Sequence, residues 1–273
     1  MDSIYDRPDP REYFNTLEKL NYAIPGNAKP LFQKLISQFR RRHQLEEICI
    51  LDLGCSYGVN AALLKHNLSL DDLYNHWTQD ELEDATTEEV IQKDRQFFDD
   101  LNDSENLKVI GIDQADNALT FAENVGLIDE GLAVNLEQEK LPEDVRQGLE
   151  PVDLMISTGC VGYVTEKSFE QLMEPITERK SAWIANFVLR MFPYDQIEKA
   201  LSRWDYKTEK LNGQYFRQRD FASTEEQNRV VEQLKSQGIE PSCLETEGHF
   251  VAELYVSRPK KDVHELPLPQ LLA

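Results

Sequence analysis

The residues best suited to bind a ligand lie in segment 51–58, which reads LDLGCSYG. An apolar run typical of a buried strand carries the acidic Asp52 near its end and is followed by a turn of small residues and the start of a helix. Gly54 allows a sharp turn, while Ser56 and Gly58 keep the side chains small, so a ligand can lie against the backbone at the helix N-terminus. A dinucleotide site would use the spacing Gly-x-Gly-x-x-Gly. The turn therefore indicates a cofactor site. Because the segment lacks the dinucleotide spacing, it argues against a nicotinamide dehydrogenase.

Three further polar segments follow apolar runs, at Asp113, at residues 135–136 and at residues 157–160. Segment 51–58 resembles motif I of the class I S-adenosylmethionine-dependent methyltransferases, acidic-x-Gly-x-Gly-x-Gly, with Ser56 in place of the middle glycine. The resemblance extends in order over about residues 47–187, and it implies S-adenosylmethionine as cofactor and S-adenosylhomocysteine as product. The cofactor-binding residues that it implies are Asp52, Gly54, Cys55, Ser56, Gly58, Asp113, Gln114, Asn135, Leu136, Ser157, Thr158 and Gly159.

Each of these later segments has a role in the resemblance and a simpler structural alternative. Asp113 matches the acidic residue that holds the two ribose hydroxyls, since a carboxylate has two acceptor oxygens, but it could also cap a helix. Asn135 and Leu136 match the segment that frames the adenine, and Asn135 is equally well explained as a turn residue. Residues 157–160 match the stretch beside the methionine moiety and the transferred methyl group. Cys160 is interpreted as pocket lining, because no histidine lies near it in sequence to activate a nucleophile.

The acceptor side of the site is less well defined by the sequence. A substrate pocket is expected over the C-terminal ends of the strands, under the N-terminal helices. The candidate catalytic residues are Tyr163, whose hydroxyl could orient a nucleophile, and His249, which could act as a base; ring packing is the alternative for Tyr163. Arg190 could clamp a substrate carboxylate or form a surface salt bridge. The candidate substrate-binding residues are Tyr22, Tyr57, Tyr163, Arg190 and Tyr194, with Tyr13 and Phe187 as further lining residues.

Several subclasses of methyl transfer have no matching motif. The fourth strand is not followed by Asn/Asp-Pro-Pro-Tyr/Phe or by Pro-Cys, and the fifth is not followed by Asp-Asn. Methylation of exocyclic or amide nitrogens, methylation of cytosine C5 through a covalent cysteine, and a metal-dependent catechol site therefore have no support. The prediction that remains is a methyltransferase that acts by in-line displacement on an O, N or C atom of a small-molecule metabolite. Two alternatives stay open: a protein or carboxyl methyltransferase, and a catalytically inactive S-adenosylmethionine-binding accessory protein.

Strands that alternate with helices position these segments. The pattern predicts an α/β fold with a doubly wound, mostly parallel seven-stranded sheet, a Rossmann-like methyltransferase core. A closing hairpin around Gly248 would make the last strand antiparallel, and residues 216–219 are interpreted as a solvated stretch or a substrate loop. The predicted strands are residues 48–53, 108–113, 132–135, 152–157, 182–187, 243–247 and 250–257.

The chain, residues 1–273, is predicted to form a single methyltransferase domain. Residues 1–46 form an N-terminal helical cap, residues 47–258 the core, and residues 259–273 a C-terminal tail that docks loosely. The acidic segment 68–106 interrupts the alternation of strands and helices. Because its apolar residues recur at roughly helical spacing, it predicts one or two amphipathic helices inserted into the core.

The composition limits the partners. The 50 Asp and Glu residues outnumber the 29 Lys and Arg residues, for a net charge of -21. Such a surface repels phosphate backbones and anionic lipids, so neither a nucleic acid nor a membrane is expected as partner. Four scattered cysteines, with no signal-like N-terminus, predict reduced thiols in the cytoplasm and no metal site. The sequence leaves the oligomeric state open, with a homodimer as one alternative.

Overall fold

A computed structural model describes residues 4–66, 68–101 and 106–273. Within these residues, eight strands form one mixed sheet, and helices pack on both of its faces. The strands are β1 Ile48–Leu53, β2 Leu107–Asp113, β3 Glu130–Ala133, β4 Leu154–Thr158, β5 Trp183–Leu189, β6 Tyr206–Lys210, β7 Phe216–Asp220 and β8 His249–Pro259. The helices are α1 Arg11–Glu18, α2 Ile24–His43, α3 Val59–Lys65, α4 Leu70–Trp77, α5 Thr87–Asp99, α6 Asp116–Asn124, α7 Glu143–Leu149, α8 Glu166–Glu178, α9 Asp195–Leu201, α10 Thr224–Ser236, α11 Cys243–Thr246, α12 Lys260–Glu265 and α13 Leu268–Leu271.

The order of the sheet is β3-β2-β1-β4-β5-β8-β6, with β1 to β5 parallel and β8 antiparallel between β5 and β6. The doubly wound, mostly parallel α/β fold predicted from the sequence is therefore confirmed. The sheet has one strand more than the predicted seven. β6 and β7 pair with successive parts of the same edge of β8, so the extra strand lengthens that edge rather than widening the sheet.

The predicted hairpin around Gly248 is wrong in its first half. Residues 243–247 were expected to form a strand, but they form the short helix α11 because Ser242 and Glu245 make a capping box. The hydroxyl of Ser242 accepts from the backbone N–H of Glu245, and the carboxylate of Glu245 accepts from the N–H of Ser242. On the edge opposite β5, β8 pairs with β6 and β7, so residues 216–219 belong to a strand and not to a loop.

The N-terminal cap is tied to β7. The backbone N–H of Ala23 donates to the carbonyl of Gln218 at 2.7 Å, and that of Asp220 donates to the carbonyl of Leu20 at 2.7 Å. The side chain of Asn27 adds a bond to the carbonyl of Arg217 at 2.8 Å. These bonds hold the turn between α1 and α2 over β7, which pairs with the part of β8 that extends beyond the end of β5.

The acidic insertion contains the two helices α4 and α5, each opened by a capping box. Phe14 of α1 packs on Trp77 of α4 with ring centroids 4.4 Å apart, so the insertion and the N-terminal cap share one core. Residues 102–105, at the end of the predicted insertion, and residues 1–3 of the cap lie outside the described residues. The tail forms α12 and α13, and Leu268 and Leu271 are buried in the same core, so it docks more closely than predicted.

Within the described residues, no helix combines the length and the apolar character that are needed to span a bilayer.

Candidate functional site

The turn between β1 and α3 forms the floor of the candidate site. Gly54 and Gly58 have φ angles of +74° and +75°, in the left-handed region that favours glycine. A Cβ atom on Gly54 would lie 2.7 Å from Cβ of Cys160, so packing also requires glycine there. Ser56 has φ +49°, a conformation that costs a residue with a side chain about 1–2 kcal/mol. Gly54 is exposed, so a ligand can reach the backbone at this turn.

Asp52 lies under the turn with its carboxylate completely buried. Its Oδ1 accepts from Nδ2 of Asn60 at 3.1 Å, but its Oδ2 has no hydrogen-bond partner among the described residues. Burial raises the pKa of Asp52 to about 7, although the bond from Asn60 opposes the shift. A buried carboxylate oxygen without a donor is costly, and a cationic ligand group would relieve that cost.

Asp113, at the end of β2, is bound to the same turn. Its Oδ2 accepts from the backbone N–H of Ser56 at 2.9 Å, and its Oδ1 accepts from the N–H of Ala115 at 3.0 Å. Burial raises the pKa of Asp113, while these backbone donors oppose the shift. The backbone of Gln114 also helps to lower this pKa. Because a carboxylate offers about four acceptor sites, Asp113 holds the turn, leads into α6 and keeps capacity to accept from a ligand.

Gln114 and Asn135 stand next to each other after β2 and β3. Nδ2 of Asn135 donates to Oε1 of Gln114 at 3.1 Å, and its Oδ1 accepts from the backbone N–H of Glu137 at 3.1 Å. Asn135 thus makes a turn, as the structural alternative for this residue predicts. Its side chain also lies beside Gln114 at the edge of the candidate site. Leu136 is buried beside them, whereas Gln114 is exposed.

Of the residues at the end of β4 and directly after it, some lie at the candidate site and others lie in the core. Ser157 is completely buried and donates from Oγ to Oδ1 of Asn186 at 2.7 Å, so its side chain faces β5. Oγ1 of Thr158 accepts from Nδ2 of Asn60 at 3.0 Å, which joins the end of β4 to Asp52. Gly159, with φ +94°, and Cys160 are half-buried at the cleft. Burial raises the pKa of the Cys160 thiol to about 12, which favours pocket lining over nucleophilic catalysis.

The side chain of Cys55, in this turn, points into the core. It is buried, and a Cβ atom on Gly111 would lie 2.6 Å from its Sγ. Only the backbone of Cys55 therefore lies on the ligand side of the turn. Glycine at position 111 allows β2 to pass close beneath it.

Tyr22 brings the N-terminal cap to the end of β4. Its hydroxyl lies near the side chains of Tyr13 and Thr158, and burial raises the pKa of Tyr22, so the phenol stays neutral. Tyr13 packs edge-on against Tyr22, with ring centroids 6.3 Å apart. A chain of side chains thus runs from Asp52 through Asn60 and Thr158 to the tyrosines of the cap.

Three predicted substrate residues lie away from the cleft. Tyr57 is fully buried, and its hydroxyl accepts from the backbone N–H of Arg7 at 2.8 Å, so it anchors the N-terminal segment. Tyr194 is buried on the far side of the sheet, where its hydroxyl accepts from Nδ2 of Asn186 at 2.7 Å. Arg190 is buried in an ion pair with Glu245, so its charge is already neutralised.

The two predicted catalytic residues differ in their surroundings. Tyr163 follows β4 and is 80% exposed, the highest exposure of any large apolar or aromatic side chain described. His249 begins β8, where Nδ1 of its ring lies 2.6 Å from Oδ1 of Asp220. Phe187, a predicted lining residue, is completely buried between Phe32 and Phe216.

Sequence reasoning missed Asn60, Gln218 and Asp220. Asn60 could have been found as the polar residue in the first turn of α3, directly after the small-residue turn. Gln218 lies over Gly159, since a Cβ atom there would be 2.5 Å from its Nε2. Gln218 and Asp220 carry no local signal, because only the pairing of β7 with β8 brings them to the site.

The described residues contain no group of three or more His, Cys, Asp or Glu side chains placed to hold a metal ion. The candidate site therefore consists of the turn after β1 and the residues at the ends of β2, β3 and β4. The N-terminal cap and β7 cover its other side.

The sequence matches no protein-family model and no curated protein. Among solved structures, it is similar to a plantazolicin methyltransferase in complex with SAH, S-adenosylhomocysteine, at 12% identity and TM-score 0.43 over 94% of this chain and 93% of that one. A TehB-like SAM-dependent methyltransferase from Corynebacterium glutamicum matches at 14% identity and TM-score 0.38, over 81% of this chain and 85% of that one. Magnesium protoporphyrin IX methyltransferase from Synechocystis, with bound S-adenosylmethionine, matches at 9% identity and TM-score 0.40 over 86% and 80%.

These matches are too distant to bear on the substrate or the reaction. The sheet order and the antiparallel strand β8 agree with the Rossmann-like fold of the class I methyltransferases.

Proposed function

We propose that this protein is a class I methyltransferase that uses S-adenosylmethionine. The observation that carries the proposal is Oδ2 of Asp52, which has no partner among the described residues and is buried under a turn that exposes its backbone at Gly54. A dinucleotide would bring a pyrophosphate to this turn, and a buried carboxylate would repel it. S-Adenosylmethionine brings an ammonium and a sulfonium group, whose positive charge suits Asp52.

The residues present fit the other parts of the cofactor. The carboxylate of Asp113 keeps acceptor capacity for a ribose hydroxyl beside its backbone donors, and Ser56 presents its backbone to the same region. Gln114 and Asn135 lie at the rim where polar atoms of the adenine would be read, and Leu136 packs behind them. Thr158 and Gly159 lie at the end of β4, where the resemblance places the methionine moiety. Once bound, the cofactor supplies a methyl group that an aligned nucleophile can displace.

The protein itself must align the acceptor and exclude water. Tyr13 and Tyr22, both from the cap, close the acceptor side against Thr158. Side chains of the cap, the end of β4 and β7 come together here, among them Tyr22, Thr158 and Gln218. Neutral polar groups of this kind favour a small-molecule metabolite with an O, N or C acceptor atom. The net charge of -21 disfavours a polyanionic acceptor. The four cysteines are free thiols, which favours a reducing compartment such as the cytoplasm.

Titration calorimetry of the full chain with S-adenosylmethionine, S-adenosylhomocysteine and NAD tests the cofactor. We expect both sulfur compounds to bind, with affinity rising as the pH increases through about 7, because Asp52 must be ionised to pair with the cation. Binding of NAD alone would contradict the proposal. Incubating a metabolite extract with methyl-labelled S-adenosylmethionine, with the products identified by mass, then distinguishes an active enzyme from an inactive binding protein.

A further inference from the structure

His249 and Asp220 form a pair at the sheet edge that carries the candidate site. Nδ1 of His249 lies 2.6 Å from Oδ1 of Asp220. Nε2, the other ring nitrogen, has no hydrogen-bond partner in the described part of the chain, and it is not buried. The side chain of His249 is 21% exposed. One nitrogen is thus held by a carboxylate while the other is open to solvent, which is the arrangement that a general base requires.

The strand register places this pair on the side of the candidate site that the N-terminal cap and β7 cover, which is the side proposed for the methyl acceptor. Ala252 of β8 pairs with Leu189, the last residue of β5. His249 lies three residues closer to the start of β8, and therefore about 10 Å beyond the carboxyl end of β5. On β7, Gln218 lies over Gly159, and two residues further along the strand Asp220 pairs with His249. β7 therefore spans from the end of β4 to the imidazole.

Asp220 is fixed from several directions. Nη2 of Arg217 lies 2.6 Å from its Oδ1, and Nδ2 of Asn21 in the cap donates to its Oδ2 at 2.7 Å. Its backbone N–H donates to the carbonyl of Leu20 at 2.7 Å. Although burial works against it, the bonds from Asn21 and His249 and the charge of Arg217 hold the pKa of Asp220 below its ordinary value. Asp220 is therefore a carboxylate at neutral pH and accepts a hydrogen bond from Nδ1–H.

We propose that Asp220 is a positioning residue that holds His249 as the general base for the acceptor, an inference that rests on the methyltransferase function proposed above. A carboxylate at Nδ1 keeps the proton of the neutral ring on that nitrogen, so Nε2 presents its lone pair. The acceptor class is then a molecule whose nucleophilic atom carries a proton, an amine or a hydroxyl group.

The transfer step balances with these residues alone. The acceptor's proton passes to Nε2 of His249, and the acceptor's lone pair forms the bond to the methyl carbon. The electron pair of the broken carbon–sulfur bond stays on sulfur, and the imidazolium afterwards releases its proton to water. The charged groups near the pair are Arg217 and Arg219 of β7, Glu226 of α10 and Glu247 just before β8.

The tautomer of His249 tests the pair without any activity measurement. Protein labelled with 15N-histidine is examined by long-range 1H–15N spectroscopy at a pH where the imidazoles are neutral, and the His249 signal is identified from its loss in His249→Gln. We expect the proton on Nδ1 in the wild type and in Asp220→Asn, whose amide oxygen can still accept it. Asp220→Ala should move the proton to Nε2, while the signal of the exposed His264 stays unchanged. A wild-type proton on Nε2, or no change in Asp220→Ala, would overturn the proposal.

Activity and binding separate this inference from the proposed function. With methyl-labelled S-adenosylmethionine and a metabolite extract, His249→Gln should lower the rate about 10²–10⁴-fold and Asp220→Ala about 10–100-fold. His264→Gln is the matched control and should keep the wild-type rate. Absence of cofactor binding to the wild type would refute the proposed function. Normal binding with full activity in both variants would refute the pair alone.

Discussion

Two aspartates are fully buried in different regions of the protein, and they differ in their partners. Asp94 lies in the acidic insertion, where its Oδ1 is 2.7 Å from Nε2 of His76 and its Oδ2 accepts from Nε1 of Trp77 at 2.8 Å. Asp52 lies at the end of β1, with one oxygen bound to Asn60 and the other without a partner among the described residues. A buried carboxylate that its own chain satisfies stabilises the fold, whereas one left incomplete marks the place of a ligand.

The largest expected effect is on the satisfied carboxylate. Asp94→Ala would leave the ring nitrogens of Trp77 and His76 buried without an acceptor, so we expect the free energy of unfolding to fall by about 2–5 kcal/mol. Urea denaturation measures the change. Asp99→Ala, an exposed position on the same helix, is the control and should stay within about 0.5 kcal/mol of wild type. If the two variants are equally stable, Asp94 does not have the structural role assigned here.

Asp52 should behave in the opposite way. The pKa of Asp52 is about 7 in the folded chain, against an ordinary 3.8. The folded state therefore binds this proton more tightly than the unfolded state does. The free energy of unfolding falls as the pH rises from about 4 through 7. Asp52→Asn removes this titration. The gap in free energy of unfolding between the variant and the wild type should therefore be larger at pH 8 than at pH 4, by up to about 4 kcal/mol in favour of the variant. It should also bind S-adenosylmethionine more weakly. Denaturation at both pH values measures the gap; a gap of equal size at both would contradict the role of burial.

Asp113 is intermediate, because two backbone groups bind it but acceptor sites remain. Asp113→Ala should weaken S-adenosylmethionine binding by about 1.5–3 kcal/mol, the range for hydrogen bonds to a charged group. Asp116→Ala makes the same change of charge at an exposed position in the first turn of α6 and should bind as the wild type does. Calorimetry compares the two variants, and equal affinities would rule out Asp113 as a ribose ligand.

The strand ends were predictable because each is a local pattern. An apolar run followed by small or acidic residues defines β1 with its turn, and likewise the ends of β2 and β4. β7 was missed because its sequence, FRQRD, has no alternation of apolar residues. Its arginines bind Asp220 and Glu226 instead of contributing to a core, so the strand resembles a solvated segment in sequence. Residues 243–247 were taken for a strand because the capping box of Ser242 and Glu245 went unrecognised.

The sequence alone determined β1 to β5 and the helices that alternate with them, and it predicted the proposed cofactor residues at the ends of these strands, because both depend on hydrophobic periodicity and on small residues within short segments. Only the tertiary structure decided which side chains meet on the proposed acceptor side, where Tyr22, Gln218, Asp220 and His249 come from segments far apart in the chain. It also decided that Arg190 is neutralised and that one oxygen of Asp52 has no partner among the described residues. The physical reason is that burial and hydrogen-bond satisfaction depend on every segment that packs around a group, and a local pattern cannot specify those segments.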